Sequence, residues 1–201
     1  MSNKMDERKI KLTASIGLLI GGILGLAGSF APTDSLRCIA WVIDGVGLTI
    51  ACFILAIYYY RKGLGVTAIG FLVFGVGECF ILSSTSIDLE EHTSTFGVGV
   101  SLWAMALFII SSQPTYPVFV RCTGWFTAVL FSIVSILIFT NHSLHPLTKP
   151  LPFYAYPFLV ITIFGWVRTL LRKYPSKQGS SSPGGGFSCY FFHRQKSNQK
   201  V

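Results

Sequence analysis

Asp44 and Glu78 are the two acids of this 201-residue chain that lie well inside long apolar runs. A charged acid near the middle of a bilayer costs roughly 2.5–3.5 kcal/mol on insertion scales, so an acid kept there is a functional candidate by default. Their depths compare directly, because the runs that carry them flank one tight turn at Lys62. Asp44 lies 18 residues before Lys62 and Glu78 lies 16 after it. At a helical rise of 1.5 Å per residue the two depths differ by about 3 Å. Two close acids in a low dielectric cannot easily both ionise, which is the chemistry of a proton or cation site. Arg37 stands two helical turns from Asp44 on the same face and is expected to neutralise it or gate access to it. Gly45, Gly47, Gly75 and Gly77 flank the acids and leave room for a backbone or a substrate. The plainer reading is that each acid, protonated or paired with Arg37, hydrogen-bonds between helices as glue. Both readings stand at this point.

Other chemistry-bearing residues form weaker patterns. His92, His142 and His145 fall between apolar runs, and His142-x-x-His145 near Glu90 and Glu91 is too loose a spacing to predict a metal site. No cofactor or metal is expected. Asn141-His142-Ser143 fits a glycosylation sequon by pattern alone. No nucleophile elbow, zinc-protease motif or phosphate-binding loop occurs, so an enzyme is not expected. Ser101 lacks the histidine partner an intramembrane serine hydrolase needs. The five cysteines contain no C-x-x-C pair, and those in the apolar runs are expected to be buried, free and inert.

The elements that must position Asp44 and Glu78 are read from composition and run length. Hydrophobic residues make up 51% of the chain and charged residues 12%, about half the charged share of a soluble domain. The apolar residues fall into six runs: Leu12–Phe30, Leu36–Tyr60, Leu64–Thr85, Phe96–Gln113, Val118–Thr140 and Phe153–Arg172. Each matches the roughly 20 residues that cross a hydrocarbon core, and a backbone in lipid must satisfy its own hydrogen bonds, so each is a helix. The predicted fold is all-α: a polytopic bundle of six transmembrane helices in the lipid bilayer, over residues 12–173. Residues 1–11 are read as a cytoplasmic amino-terminal segment and 174–201 as a flexible cytoplasmic tail. Short connections at 31–35, 61–63 and 114–117 make consecutive helices antiparallel neighbours.

The net charge of +8 is a matter of sidedness, not of a nucleic-acid partner. Of the 16 Lys and Arg residues, all but Arg37 and Lys149 fall on one side of the predicted bundle. The positive-inside rule then places both termini in the cytoplasm. Tyr58, Tyr59, Tyr60, Trp125 and Trp166 are expected at one interface and Trp41, Tyr154 and Tyr156 at the other. Ser29-Phe30-Ala31 resembles a signal-peptide cleavage site, but the run before it is long and Pro32 follows, so a retained first helix is expected.

Gly17, Gly21 and Gly25 recur every four residues in the first run and form a smooth groove for close helix packing. The partner is expected within the chain, with a second copy or another membrane protein as the alternative. Gly-Val-Gly recurs at 45–47, 75–77 and 97–99, a pattern that ordinary membrane-helix composition explains. Pro157 is expected to remove a backbone donor and bend the last helix. The Ser/Gly/Pro-rich tail carries Cys189, for which palmitoylation is conceivable by position and no role is the plainer reading.

The stretches DSLRCIAWVIDGVGL (34–48), FLVFGVGECFILSS (71–84) and KPLPFYAYPFLVITIFGW (149–166) resemble a group of small, uncharacterised bacterial membrane proteins with six helices. That resemblance implies a bacterial cytoplasmic membrane and no activity or site residue. Two functions remain. One is an integral membrane protein with a structural, stress-related or partner-binding role. The other is a small transporter or channel-like protein with a proton or cation site at Asp44 and Glu78 and an unknown small-molecule or ion substrate.

Overall fold

A computed structural model describes residues 2–85, 93–141 and 151–172. Among them are six helices and no strand: α1 (Ser2–Gly28), α2 (Asp34–Arg61), α3 (Gly65–Thr85), α4 (Thr93–Ser111), α5 (Val118–Asn141) and α6 (Leu151–Leu171). Each is long and apolar enough to span a membrane. The boundaries fall within three residues of the predicted runs except at the start of α1. That helix begins in the segment read as separate, and Glu7 shows why a polar stretch stays helical. Its carboxylate pairs with Lys11 one turn on at 3.1 Å and with Lys62 of the α2–α3 turn at 2.9 Å. It also accepts from the Tyr58 hydroxyl at 3.0 Å.

Each helix packs on its neighbours in sequence, and α6 returns to pack on α1. The bundle is therefore a closed ring of six helices with none at its centre. Its outer face carries Ile16, Ile20 and Ile23 on α1, Ile39, Ile43 and Ile50 on α2, and Ile133 and Ile136 on α5, all exposed. Such a face suits lipid and not water.

Glycine contacts set the helix spacing on two sides of the ring. A Cβ added to Gly17 would lie 2.9 Å from both the Gly47 carbonyl oxygen and the Ala51 Cβ, and one on Gly21 would strike Leu48. The groove on α1 thus packs on α2, within the chain. Gly77 and Gly99 do the same for α3 and α4, each facing the other's carbonyl oxygen, at 3.0 and 2.9 Å from an added Cβ. The second glycine of each Gly-Val-Gly, at 47, 77 and 99, therefore marks backbone contact between neighbouring helices. Hydroxyls add interhelical bonds: Ser101 with Ser135 between α4 and α5, and Thr127 with Thr162 between α5 and α6 at 3.5 Å. α6 runs unbroken through Pro157.

The ring's interior is filled by touching aromatic side chains. Tyr59 stacks on Phe71 (centroids 5.5 Å apart), Phe71 meets Trp166 edge-on (5.1 Å), and Trp166 meets Phe74 (5.9 Å). Phe74 stacks on Trp103 at 5.2 Å, and Trp103 touches Phe131 and Tyr156. Three residues expected at the interfaces therefore lie inside the ring. Trp166 is 1% exposed, Tyr59 is 4% exposed, and Tyr156 packs against the core. Three consecutive tyrosines at 58–60 sit about 100° apart around a helix, so they cannot share one surface. Tyr60 is outward and Tyr59 inward, where its hydroxyl meets that of Tyr116 at 2.8 Å.

One more expectation is corrected. Of the described free cysteines only Cys52 is buried, while Cys38, Cys79 and Cys122 are exposed on the bundle's outer face. A small apolar thiol is as compatible with lipid as with a core. Arg121, in the first turn of α5, donates Nε to the Ser111 carbonyl at 2.9 Å. It thereby satisfies a backbone acceptor that the end of α4 leaves open.

Candidate functional site

Asp44 and Glu78 are brought together on the wall of one cavity. Helical spacing explains Asp44: it lies on the same stripe of α2 as Leu48, Ala51, Cys52 and Leu55, all turned into the ring. Glu78 follows Phe71 and Phe74 at intervals of three and four, so α3 points all three inward. Asp44 is 5% and Glu78 2% exposed, which puts both among the most buried polar side chains.

The two carboxyls are held differently. Asp44 Oδ2 accepts from the Tyr156 hydroxyl of α6 at 3.1 Å. The same oxygen and that hydroxyl both crowd the space beside Gly25, and Asp44 Oδ1 lies 3.2 Å from where a Cβ on Gly21 would sit. Gly21 and Gly25 thus do more than let helices approach: they leave the volume that Asp44 and Tyr156 occupy. The Glu78 carboxyl lies over α2, with Oε1 3.2 Å from where a Cβ on Gly45 would be. The Trp103 indole N–H faces Glu78 without reaching hydrogen-bond geometry. Asp44 Oδ1, Glu78 Oε2 and Trp103 Nε1 are each buried and unpartnered by the described protein.

All of the ring builds this cavity. Gly25 and Ser29 come from α1 and its end, Trp41 and Asp44 from α2, Glu78, Ile81 and Leu82 from α3, and Phe96, Val100 and Trp103 from α4. Phe131 and Val134 of α5 and Tyr156 of α6 complete it. Its volume is about 60 Å³, which suits a few waters or one small cation and excludes a nucleotide or a sugar. At the opposite end of the ring a second cavity of about 930 Å³ is lined by Glu7, Arg8, Lys11, Tyr59, Lys62 and Arg172, among others. The aromatic column lies between the two.

Arg37 is not part of the acid cavity. Its guanidinium donates to Asp34 at 2.6 Å and to the Ala31 carbonyl at 3.5 Å. Asp34 is one turn away, whereas Asp44 is about 10 Å along the axis, so the nearer carboxylate takes the charge. The sequence reading missed Tyr156, Trp103 and the part played by Gly25. A phenol five residues into α6 carries no sequence signal that separates an inward-facing ring from an interfacial one. Among the described residues no group of three or more His, Cys, Asp or Glu side chains is placed to hold a metal. His92, His142, His145 and Cys189 lie outside the described residues.

No protein-family profile, curated protein sequence or solved structure matches this chain. The six-helix membrane architecture therefore stands on the chain's own residues.

Proposed function

We propose that this integral membrane protein is a small cation-binding transporter whose site is the Asp44–Glu78 pair. The observation that carries the reading is the cavity at which all six helices meet, with two buried acids, Asp44 and Glu78, on its wall. Glue accounts for Asp44, which Tyr156 holds, but not for Glu78, whose Oε2 has no hydrogen-bond partner among the described residues, and an unsatisfied buried acceptor costs about 1–3 kcal/mol. A cation in the cavity gives both carboxyls a counter-charge. The aromatic column between this cavity and the larger one at the Lys62 end keeps the ring from being an open pore. That favours stepwise passage over continuous conduction. The basic end of the bundle is assigned to the cytoplasm by the positive-inside rule, in a bacterial cytoplasmic membrane, with both termini on that side.

The second reading has its own support. The Tyr156–Asp44 bond joins α6 to α2 as interhelical glue would. The two readings part in proteoliposomes. Asp44→Asn and Glu78→Gln are expected to abolish cation- or pH-driven flux while the purified protein keeps its unfolding midpoint. If the variants lose the midpoint and reconstituted wild type moves no cation, the acids are structural.

A further inference from the structure

The geometry points to a short primary alkylammonium ion as the occupant of the acid cavity. This deepens the cation-site reading and rests on it. The wall has two chemistries. One is acidic: the side chains of Asp44 and Glu78 both line it. An R–NH₃⁺ group has three N–H donors in a compact head, enough to donate to two carboxyls. The other chemistry is aromatic. Trp41, Phe96, Trp103, Phe131 and Tyr156 line the same small space, and rings attract a desolvated cation and pack against its alkyl part.

The alternatives fit this wall less well. A divalent ion takes six or more oxygen ligands in the usual case, whereas most of the lining here is rings and aliphatic carbon. A bare alkali ion meets the carboxyls and the ring faces but has no alkyl part to pack against the apolar wall. A quaternary ammonium has no N–H and cannot hydrogen-bond to either carboxyl. The volume of about 60 Å³ limits the alkyl part to a few carbons. Gly25 contributes by having no side chain, since a Cβ there would occupy the place of the Tyr156 hydroxyl and the Asp44 carboxyl.

The test is calorimetric binding of methylammonium to the full chain in lipid nanodiscs, with ammonium, sodium and tetramethylammonium as comparison ions. Methylammonium is expected to bind more tightly than any of the three. Its affinity should fall about tenfold or more with Glu78→Gln, as loss of a charged hydrogen-bond partner implies. Replacing the tryptophans by fluorinated tryptophan leaves ring shape and folding intact while weakening the π face, and should lower methylammonium affinity several-fold. Sodium binding as tightly as methylammonium, with no effect of fluorination, would overturn the amine assignment and leave a cation site at the acids. Tight tetramethylammonium binding that survives Glu78→Gln would equally overturn it. No binding of any of the four ions to folded protein would remove the amine assignment and the cation-site reading together.

Discussion

The hydroxyl of Tyr156 donates to Asp44 at 3.1 Å across 112 residues of sequence, and so ties the last helix to the second over the top of the first. The contact exists because α6 closes the ring on α1 and because Gly25 of α1 has no side chain to fill the gap. It also makes the two acids unequal. Asp44 has a donor from the protein on one oxygen, whereas Glu78 faces an indole N–H that stops short of bonding.

Tyr156→Phe removes that donor and little else, since the ring stays to pack on Trp103. Asp44 then has neither oxygen partnered by Tyr156, and the protein should lose about 1–3 kcal/mol of stability. Denaturant unfolding in micelles measures this. Combining Tyr156→Phe with Asp44→Asn should give less than the sum of the single losses, because the two residues share one interaction. Full additivity would mean that the hydrogen bond contributes nothing.

A methyl group at position 25 meets the Tyr156 hydroxyl and Asp44 Oδ2, so Gly25→Ala must displace the carboxyl, the phenol or the helix. Gly22→Ala is the matched control three residues away. Its Cβ would make ordinary contact with Ile163 at 3.4 Å. We expect Gly25→Ala to lose cation binding by calorimetry and Gly22→Ala to retain it. Equal behaviour of the two variants would detach the glycine stripe from the site.

Six spans were legible in the sequence because lipid enforces both length and polarity, and five of the six helices start and end within three residues of where hydropathy places them. Asp44 and Glu78 were legible for the same reason: an acid stands out against an apolar run, and counting from the Lys62 turn puts both at one depth. What hydropathy cannot encode is rotation about a helix axis and the order of helices in space. Tyr59, Tyr156 and Trp166 have the composition of interface anchors and turn inward only because of the face each occupies in a closed ring. Arg37 illustrates the opposite error. A shared helical face points Arg37 to Asp44 two turns away, but Asp34 is one turn away and proximity decides the pairing. The glycine spacing of the α1 stripe reads as a packing groove, but its second use, making room for a carboxylate, depends on α6 and has no signature within α1.

Gly77 and Gly99 should be the most sensitive glycines between α3 and α4. Each would place a Cβ about as close to the other's carbonyl oxygen as any atom can come, and backbone cannot rotate away as a side chain does. Gly99→Ala and Gly77→Ala should each cost about 1–3 kcal/mol, the usual range for overpacking. Gly65→Ala, at the start of α3, meets nothing within 4 Å and should be neutral or stabilise by about 0.4–1 kcal/mol through the unfolded chain. Thermal unfolding of the three purified variants in one detergent orders them. A Gly99→Ala protein as stable as Gly65→Ala would show that the helices do not meet there.

The α2–α3 turn offers a purely backbone test. Leu64 N–H bonds the Tyr59 carbonyl at 3.0 Å and Gly63 N–H bonds that of Tyr60 at 3.0 Å, the paired bonds of a Schellman ending with glycine in the left-handed position. Gly63 has φ of 74°, and an added Cβ would have no atom within 4 Å. Crowding therefore contributes nothing to the effect of a substitution, and conformational preference alone sets it. Gly63→Ala should destabilise by about 1 kcal/mol. Gly63→Asn should cost less, because asparagine tolerates this conformation better than alanine. The unfolding midpoints should rank wild type, Asn, Ala. Alanine at or above wild type would mean that the turn leaves this conformation in the membrane, and the adjacency of α2 and α3 that sets Asp44 beside Glu78 would need another cause.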